Sequence, residues 1–166
     1  NSGLYQNEFG QVKCKSCDLG FYQYTVGNTT CHDCPKGYFN TAQKSTGCNA
    51  VPPGSYYWNK KVHKCDPGHS CSGLTANQTA CNAGTYAPEI GLINCLDCSP
   101  GMFAATAKSI ECNNCLDGQF RARTNETGKK TDGSQCQDCQ AGKYQPDLGQ
   151  ANCLPCVPGM FGENRG

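Results

Sequence analysis

Apolar residues along this chain come in short clusters, and no stretch shows the 3.6-residue spacing of an amphipathic helix. The recurring apolar position is an aromatic two residues after a glycine, itself three residues after a cysteine. The pattern runs through Cys17, Gly20 and Tyr22; Cys34, Gly37 and Phe39; Cys81, Gly84 and Tyr86; and Cys98, Gly101 and Phe103. It continues through Cys115, Gly118 and Phe120; Cys139, Gly142 and Tyr144; and Cys156, Gly159 and Phe161. Most of these cysteines close a Cys-x-x-Cys pair. The first-position cysteines fall at Cys14, Cys31, Cys48 and Cys65, at Cys95 and Cys112, and at Cys136 and Cys153, seventeen residues apart within each group. A fixed period of this length is the mark of a repeat architecture.

Each period predicts a small hairpin. The glycine serves a tight turn of positive φ or a close backbone approach, and the aromatic opens a short strand. A polar turn then reverses the chain, often through a second glycine four residues before the closing cysteine, as at Gly10, Gly27, Gly91 and Gly149. Such a hairpin is too small to bury a core of its own, so the units are expected to stack on their neighbours. The predicted fold class is a small, disulfide-rich, mostly β or irregular rod of tandem hairpins with few or no helices.

The exceptions divide the chain into three tracts: 1–50 regular, 51–80 irregular and 81–166 regular. Val51 stands where a second-position cysteine belongs, in the otherwise standard unit Val51-Pro-Pro-Gly54-Ser-Tyr56. Residues 65–80 form the irregular unit, with Cys71 out of phase. Between Cys115 and Cys136 the spacing grows by seven residues in a polar stretch.

Composition explains why the cysteines matter. Leu, Ile, Val and Phe together number 22 of 166 residues, too few for an ordinary core, and a chain this polar stays disordered unless it is cross-linked. Sixteen cysteines supply the cross-links as disulfides or as metal ligands. The net charge of +1 gives no footprint for nucleic acid or anionic membrane. No apolar run approaches a membrane span, and no signal peptide is visible, so the chain reads as a mature product or an excised segment.

Grouped two by two, the Cys-x-x-Cys pairs could form Cys₄ zinc sites at 14/17/31/34, 95/98/112/115 and 136/139/153/156. Three observations favour disulfides. Cys48, Cys65, Cys71 and Cys81 make no fourth site; the repeat runs on unbroken from 31 to 48; and three sequons, at Asn28, Asn77 and Asn125, belong to the oxidising secretory pathway. Suppose that each second-position cysteine bonds the first-position cysteine fourteen residues on. The pairs are then Cys17–Cys31, Cys34–Cys48, Cys81–Cys95, Cys98–Cys112, Cys115–Cys136 and Cys139–Cys153. On that scheme Val51 would have partnered Cys65, and its loss leaves Cys65 to bond the out-of-phase Cys71. Cys14 and Cys156 remain, either bonded beyond the ends of a slice of a longer array or bonded to each other between copies.

CHDCPKGYFNTAQKSTGC (31–48) and CLDCSPGMFAATAKSIEC (95–112) resemble ephrin-receptor-like cysteine-rich repeats, which are related in style to tumour-necrosis-factor-receptor modules. The resemblance spans nearly the whole chain apart from 57–80. It implies an elongated, disulfide-laddered rod of hairpins found in extracellular and cell-surface proteins. It carries over no ligand-binding residue, because the matched positions are structural ones.

Candidate chemistry is sparse. His32 lies inside a Cys-x-x-Cys, and His63 and His69 flank Cys65; no catalytic role is assigned. His63, His69 and Asp66 could hold a metal, with a solvated loop the favoured reading. Asp132-Gly133 reads as a turn, because the alternating acidic ligands of a calcium loop are missing. Tyr56, Tyr57 and Trp58 beside the missing cysteine either replace its cross-link by packing or dock a neighbouring copy or a sugar. The sequence therefore predicts a non-catalytic, secreted or cell-surface structural glycoprotein, with N-linked glycans and no cofactor. It would self-assemble or join adjoining repeats, without nucleic acid or a membrane span. The alternative is a ligand-binding receptor ectodomain with a protein ligand.

Overall fold

The computed structural model describes residues 1–124, 128 and 130–157. Among these residues there is no helix. Eighteen strands, sixteen of them only two residues long, pair antiparallel as nine two-stranded sheets. We number the hairpins 1 to 9 by their first glycines: Gly3, Gly20, Gly37, Gly54, Gly68, Gly84, Gly101, Gly118 and Gly142.

One local rule builds every hairpin. The two residues after the glycine pair with two residues just before the next second-position site, as Phe21 with Asp33 and Tyr22 with His32, or Met102 with Asn114 and Phe103 with Asn113. The turn before the strand closes with an i to i+3 bond, as Phe21 N–H to Asp18 O at 3.0 Å, Ser55 N–H to Pro52 O at 3.2 Å and Met102 N–H to Ser99 O at 3.0 Å. Glycine then holds the third turn position, with φ near +89° at Gly20 and +79° at Gly101. Pro53, Pro67 and Pro100 hold the second position in their turns. This is the residue pattern of a type II turn.

The second-position residue of the next unit donates its N–H back to the glycine carbonyl: Cys17 to Gly3 (3.1 Å), Cys34 to Gly20 (2.8 Å), Cys81 to Gly68 (2.9 Å) and Cys115 to Gly101 (2.8 Å). Most of the second-position residues are buried and make up much of the apolar core, with Val51 in the same position. Cys17, Cys65, Cys81, Cys115 and Cys139 have almost no exposed surface.

Hairpins engage not only the next unit but the one after it, more than the nearest-neighbour stacking expected from the period. The first glycine donates to the residue three places after the next glycine, as Gly3 to Gln23 O (2.7 Å), Gly84 to Ala104 O (2.8 Å) and Gly101 to Arg121 O (2.8 Å). The reversal loop two hairpins on then comes down on the same glycine. A Cβ built there would stand 2.0 Å from Lys44 O at Gly3, 2.2 Å from Leu74 O at Gly37 and 1.8 Å from Gly149 O at Gly101. Both uses expected of the glycine, the turn and the close approach, operate at one residue.

The residue that descends is itself left-handed. Gly149 has φ +71°, and Lys44 and Lys108 hold the same slot at +60° and +63°. A lysine there carries the strain that glycine avoids.

The chain divides into two compact units. Unit 1 comprises Asn1–Cys65 with Cys71–Gln78, and unit 2 comprises Asp66–Ser70 with Thr79–Gly166.

Residues 51–80 keep the ladder and correct the phase read from the sequence. Hairpin 4 is a four-residue pair, Ser55–Trp58 against Lys61–Lys64. Asn59 and Lys60 turn it at φ +46° and +61°, the two positive angles of a type I′ turn. Cys65 N–H donates to Gly54 O at 3.1 Å, so Cys65 is a second-position residue and not a first-position one. The cysteine slot facing Val51 is therefore Val62, opposite Tyr57, rather than Cys65. In hairpin 5, His69–Ser70 pairs with Thr79–Ala80, which puts Gln78 in the closing slot. Cys71 lies three places after Gly68. The sequence counted hairpin 4 as full length, whereas its tight turn makes it three residues shorter.

Candidate functional site

The predicted site residues fall into three sets: cross-links, sequons and rings. The cross-links are Cys17–Cys31, Cys34–Cys48, Cys81–Cys95, Cys98–Cys112, Cys115–Cys136, Cys139–Cys153 and Cys65–Cys71. Cys14 and Cys156 have no partner within the chain. Among the described residues no group of three or more His, Cys, Asp and Glu is placed to hold a metal ion. His69 Nδ1 sits 3.2 Å from its neighbour Pro67 O. Asp132 takes the Ser134 N–H at 2.8 Å, and that bond holds its carboxyl below the usual aspartate range.

Asn77 is exposed. Asn28 is half-buried; its Nδ2 donates to Thr25 Oγ1 at 2.6 Å and its carbonyl accepts the Gln6 N–H at 3.1 Å. Asn125 lies outside the described residues.

The three rings at 56–58 do not form one patch. Residues two apart on a strand share a face, so Tyr56 and Trp58 lie on one side and Tyr57 on the other. Tyr57 packs on Phe39 of hairpin 3, with centroids 5.8 Å apart. Its hydroxyl is buried without a hydrogen-bond partner. Tyr56 stacks on His63, its partner across the sheet, with centroids 5.5 Å apart and planes 29° apart. His63 Nε2 lies 3.2 Å from Trp58 O, and Trp58 is 61% exposed.

Hairpin 2 repeats this arrangement at the same positions. Tyr22 faces His32 across the sheet, and Tyr24 lies two residues on. Ring centroids are 5.6 Å apart for Tyr22–His32, 5.6 Å for Tyr24–His32 and 6.2 Å for Tyr22–Tyr24, so the three rings pave one face. Tyr24 is 62% exposed. The sequence reading took His32 and His63 only as neighbours of cysteines. The signal that would have found them is an aromatic both two and four residues after the glycine, with a histidine two residues before the next second-position cysteine. Hairpins 2 and 4 share it.

A second feature missed from the sequence is the slot three residues after the glycine, buried in seven of the nine hairpins. It holds Gln23, Asn40, Cys71, Ala87, Ala104, Arg121 and Gln145. Gln23 spans its own loop, accepting from Thr25 N at 3.1 Å and donating to Thr30 O at 2.6 Å. Gln145 does the same with Asp147 N (3.1 Å) and Asn152 O (2.7 Å).

Asn40 and Arg121 instead reach back one hairpin. Asn40 takes the Gly20 N–H at 2.8 Å and donates to Phe21 O at 2.7 Å. Arg121 donates from Nε to Met102 O and from Nη2 to Cys98 O (2.6 Å) and Ser99 O (2.7 Å). Burial lowers the Arg121 pKa from its ordinary value, yet a guanidinium stays charged; the carbonyls take the place of its water.

A family model described as tyrosine-protein kinase ephrin type A/B receptor-like matches residues 3–50 and 127–166, more than half of the chain. No curated protein matches it.

Proposed function

This chain belongs to the ephrin type A/B receptor-like family, and we propose that it is a structural segment of an extracellular fibre, stalk or surface appendage that associates with copies of itself. The family is one of cysteine-rich receptor-type modules rather than of catalysts, and seven disulfides fit an extracellular or cell-surface setting. Secretion, N-glycosylation at Asn28, Asn77 and Asn125, independence of any cofactor and absence of catalysis are parts of the proposal.

One observation carries it. The buried polar side chains hold loops closed or join one hairpin to another, as Gln23, Asn40, Arg121 and Gln145 do. Among the described residues, these buried polar groups are thus committed to holding the fold together. Among the exposed rings, Tyr24 and Trp58 lie on hairpin faces suited to contact with a macromolecule.

Sedimentation velocity over a wide concentration range tests the proposal. Mass that keeps growing past a dimer supports it, and a monomer at every concentration refutes it. The second reading, a receptor-type module with a protein ligand, rests on the family match. It predicts that monomer, together with saturable binding to a partner protein.

A further inference from the structure

A reversal loop that comes down on a glycine two hairpins back is held by three backbone contacts. Its left-handed residue donates an N–H to a second-position carbonyl, Lys44 to Cys17 O at 2.9 Å and Leu74 to Val51 O at 3.1 Å. The next loop residue accepts an N–H from the slot three places after the intervening glycine, Ser45 O from Gln23 at 3.0 Å and Thr75 O from Tyr57 at 3.2 Å. The loop carbonyl covers the glycine itself, Gly3 or Gly37. Unit 2 repeats the three contacts with Lys108 on Gly68 and Gly149 on Gly101.

A fifth socket of this kind is uncovered. It consists of Gly20, Cys34 O and Asn40 N–H. The loop due to cover it is that of hairpin 4, which turns back tightly at Asn59–Lys60 and has no such loop to offer. A Cβ on Gly20 would meet nothing within 4 Å. Neither Cys34 O nor Asn40 N–H has a hydrogen-bond partner among the described residues. Gly20 and Cys34 are half-buried, whereas Gly3, Gly37, Cys17 and Val51 are buried. Asn40 is 3% exposed, and a backbone N–H left unpaired in so buried a residue is costly.

From this we infer that the Gly20 socket of one copy takes the hairpin 1 loop of a second copy. The inference rests on the self-association proposed above and names the surface that performs it. The filled sockets show what such a site accepts, a left-handed residue with its N–H and the next carbonyl free, and hairpin 1 carries one. Gly10 holds the loop position at φ +75°, and a Cβ there would meet nothing within 4 Å. Gly10 N–H and Gln11 O have no partner among the described residues. Docked as the internal loops dock, Gly10 N–H meets Cys34 O, Gln11 O takes the Asn40 N–H, and Gly10 O lies on Gly20.

The flanking side chains match too. In the filled sockets the residue before the left-handed one lies against the turn beneath it. Gln43 Nε2 donates to Asp18 Oδ1 at 2.8 Å, and Gly73 packs on Pro53. In the uncovered socket the place of Asp18 is taken by Pro35, and the residue before Gly10 is Phe9, which is fully exposed. Ring on proline removes apolar surface of both from water. Loop and socket both belong to unit 1 of every copy, so the contact is heterologous. A copy that has given its loop still presents its socket, and the contact propagates unless its rotation closes a ring.

Sedimentation velocity of variants tests this, in a Cys14→Ser/Cys156→Ser background so that no new disulfide joins copies. Phe9→Ala removes a fully exposed ring, so unfolding should be unchanged while association weakens about tenfold or more. Gly20→Ala puts a methyl into the socket and should weaken association at least as much. Gly27→Ala is its control, with φ +79° and nothing within 4 Å, and should associate like the background chain. Gly10→Pro removes the N–H and the left-handed φ of the loop and should leave a monomer. Mixed with Gly20→Ala it should form a one-to-one dimer and stop there, because each variant keeps the half that the other lacks.

Undiminished association of Phe9→Ala and Gly20→Ala would overturn the docking and leave self-assembly standing through another surface. A native chain that assembles while the serine background stays monomeric would do the same, with Cys14 and Cys156 as the link. Equal losses from Gly20→Ala and Gly27→Ala, or a mixture that forms no dimer, would also overturn the docking. A native chain that is monomeric at every concentration would overturn both the docking and the self-assembly it rests on.

Discussion

The carbonyl of Lys44 lies over Gly3 so closely that a Cβ on Gly3 would stand 2.0 Å from it. The two residues belong to hairpins two apart, and Lys44 itself is held at φ +60°. The glycine period thus serves long-range packing as much as the local turn.

Gly101→Ala should therefore cost far more than Gly27→Ala. Both glycines have positive φ, and both substitutions incur a left-handed penalty of roughly 1–2 kcal/mol. Only at Gly101 would the methyl also meet backbone, 1.8 Å from Gly149 O, whereas Gly27 has nothing within 4 Å. With overpacking added, Gly101→Ala should cost about 3 kcal/mol or more. Denaturant unfolding of the two variants checks the difference; equal losses would mean that the close approach is unimportant.

Arg121→Met should destabilise unit 2. It keeps the length of the side chain but strips three carbonyls of their donors: the buried one of Cys98 and the part-buried ones of Ser99 and Met102. Each unsatisfied group costs about 1–3 kcal/mol, offset in part by relief from burying a charge. A net loss of about 2 kcal/mol is expected, with faster amide exchange at Met102 and Arg121. Unchanged exchange there would contradict the bridging role.

Tyr57→Phe should behave in the opposite sense. The hydroxyl it removes is buried and has no hydrogen-bond partner, while the ring that packs on Phe39 is kept. Stability should hold or rise by up to about 1 kcal/mol. Tyr57→Ala, which removes the ring, should cost about 3–5 kcal/mol. Thermal unfolding distinguishes the two; a large loss from Tyr57→Phe would mean that the hydroxyl is satisfied in solution.

Removing cross-links as pairs of serines should follow loop length. Chain entropy gives roughly 2.4 kcal/mol for Cys65–Cys71, 3 for Cys98–Cys112 and 3.4 for Cys115–Cys136, whose sequence separations are 6, 14 and 21. Unfolding free energies of the three double variants check the order. A reversed order would place the stabilisation in the folded state.

The hairpin, its period and its turn were legible in the sequence because each rests on residues that others replace badly. Glycine tolerates φ near +80°, and only cysteine forms the cross-link. The phase of 51–80 was hidden by length: the tight Asn59–Lys60 turn shortens hairpin 4 and drops Cys65 where a first-position cysteine is due. The buried slot was hidden by chemistry. Gln23, Asn40 and Arg121 look like surface residues, and what buries them is a supply of backbone partners visible only once the hairpins are in register. The paired ring faces lay open to reading but needed the cross-strand register to bring His32 beside Tyr22 and His63 beside Tyr56.

Negative-stain electron microscopy of the native protein tests the central claim most directly, that this repeat array assembles with itself. The account predicts filaments or open-ended oligomers that lengthen as concentration rises. Discrete particles of one mass at every concentration would contradict it.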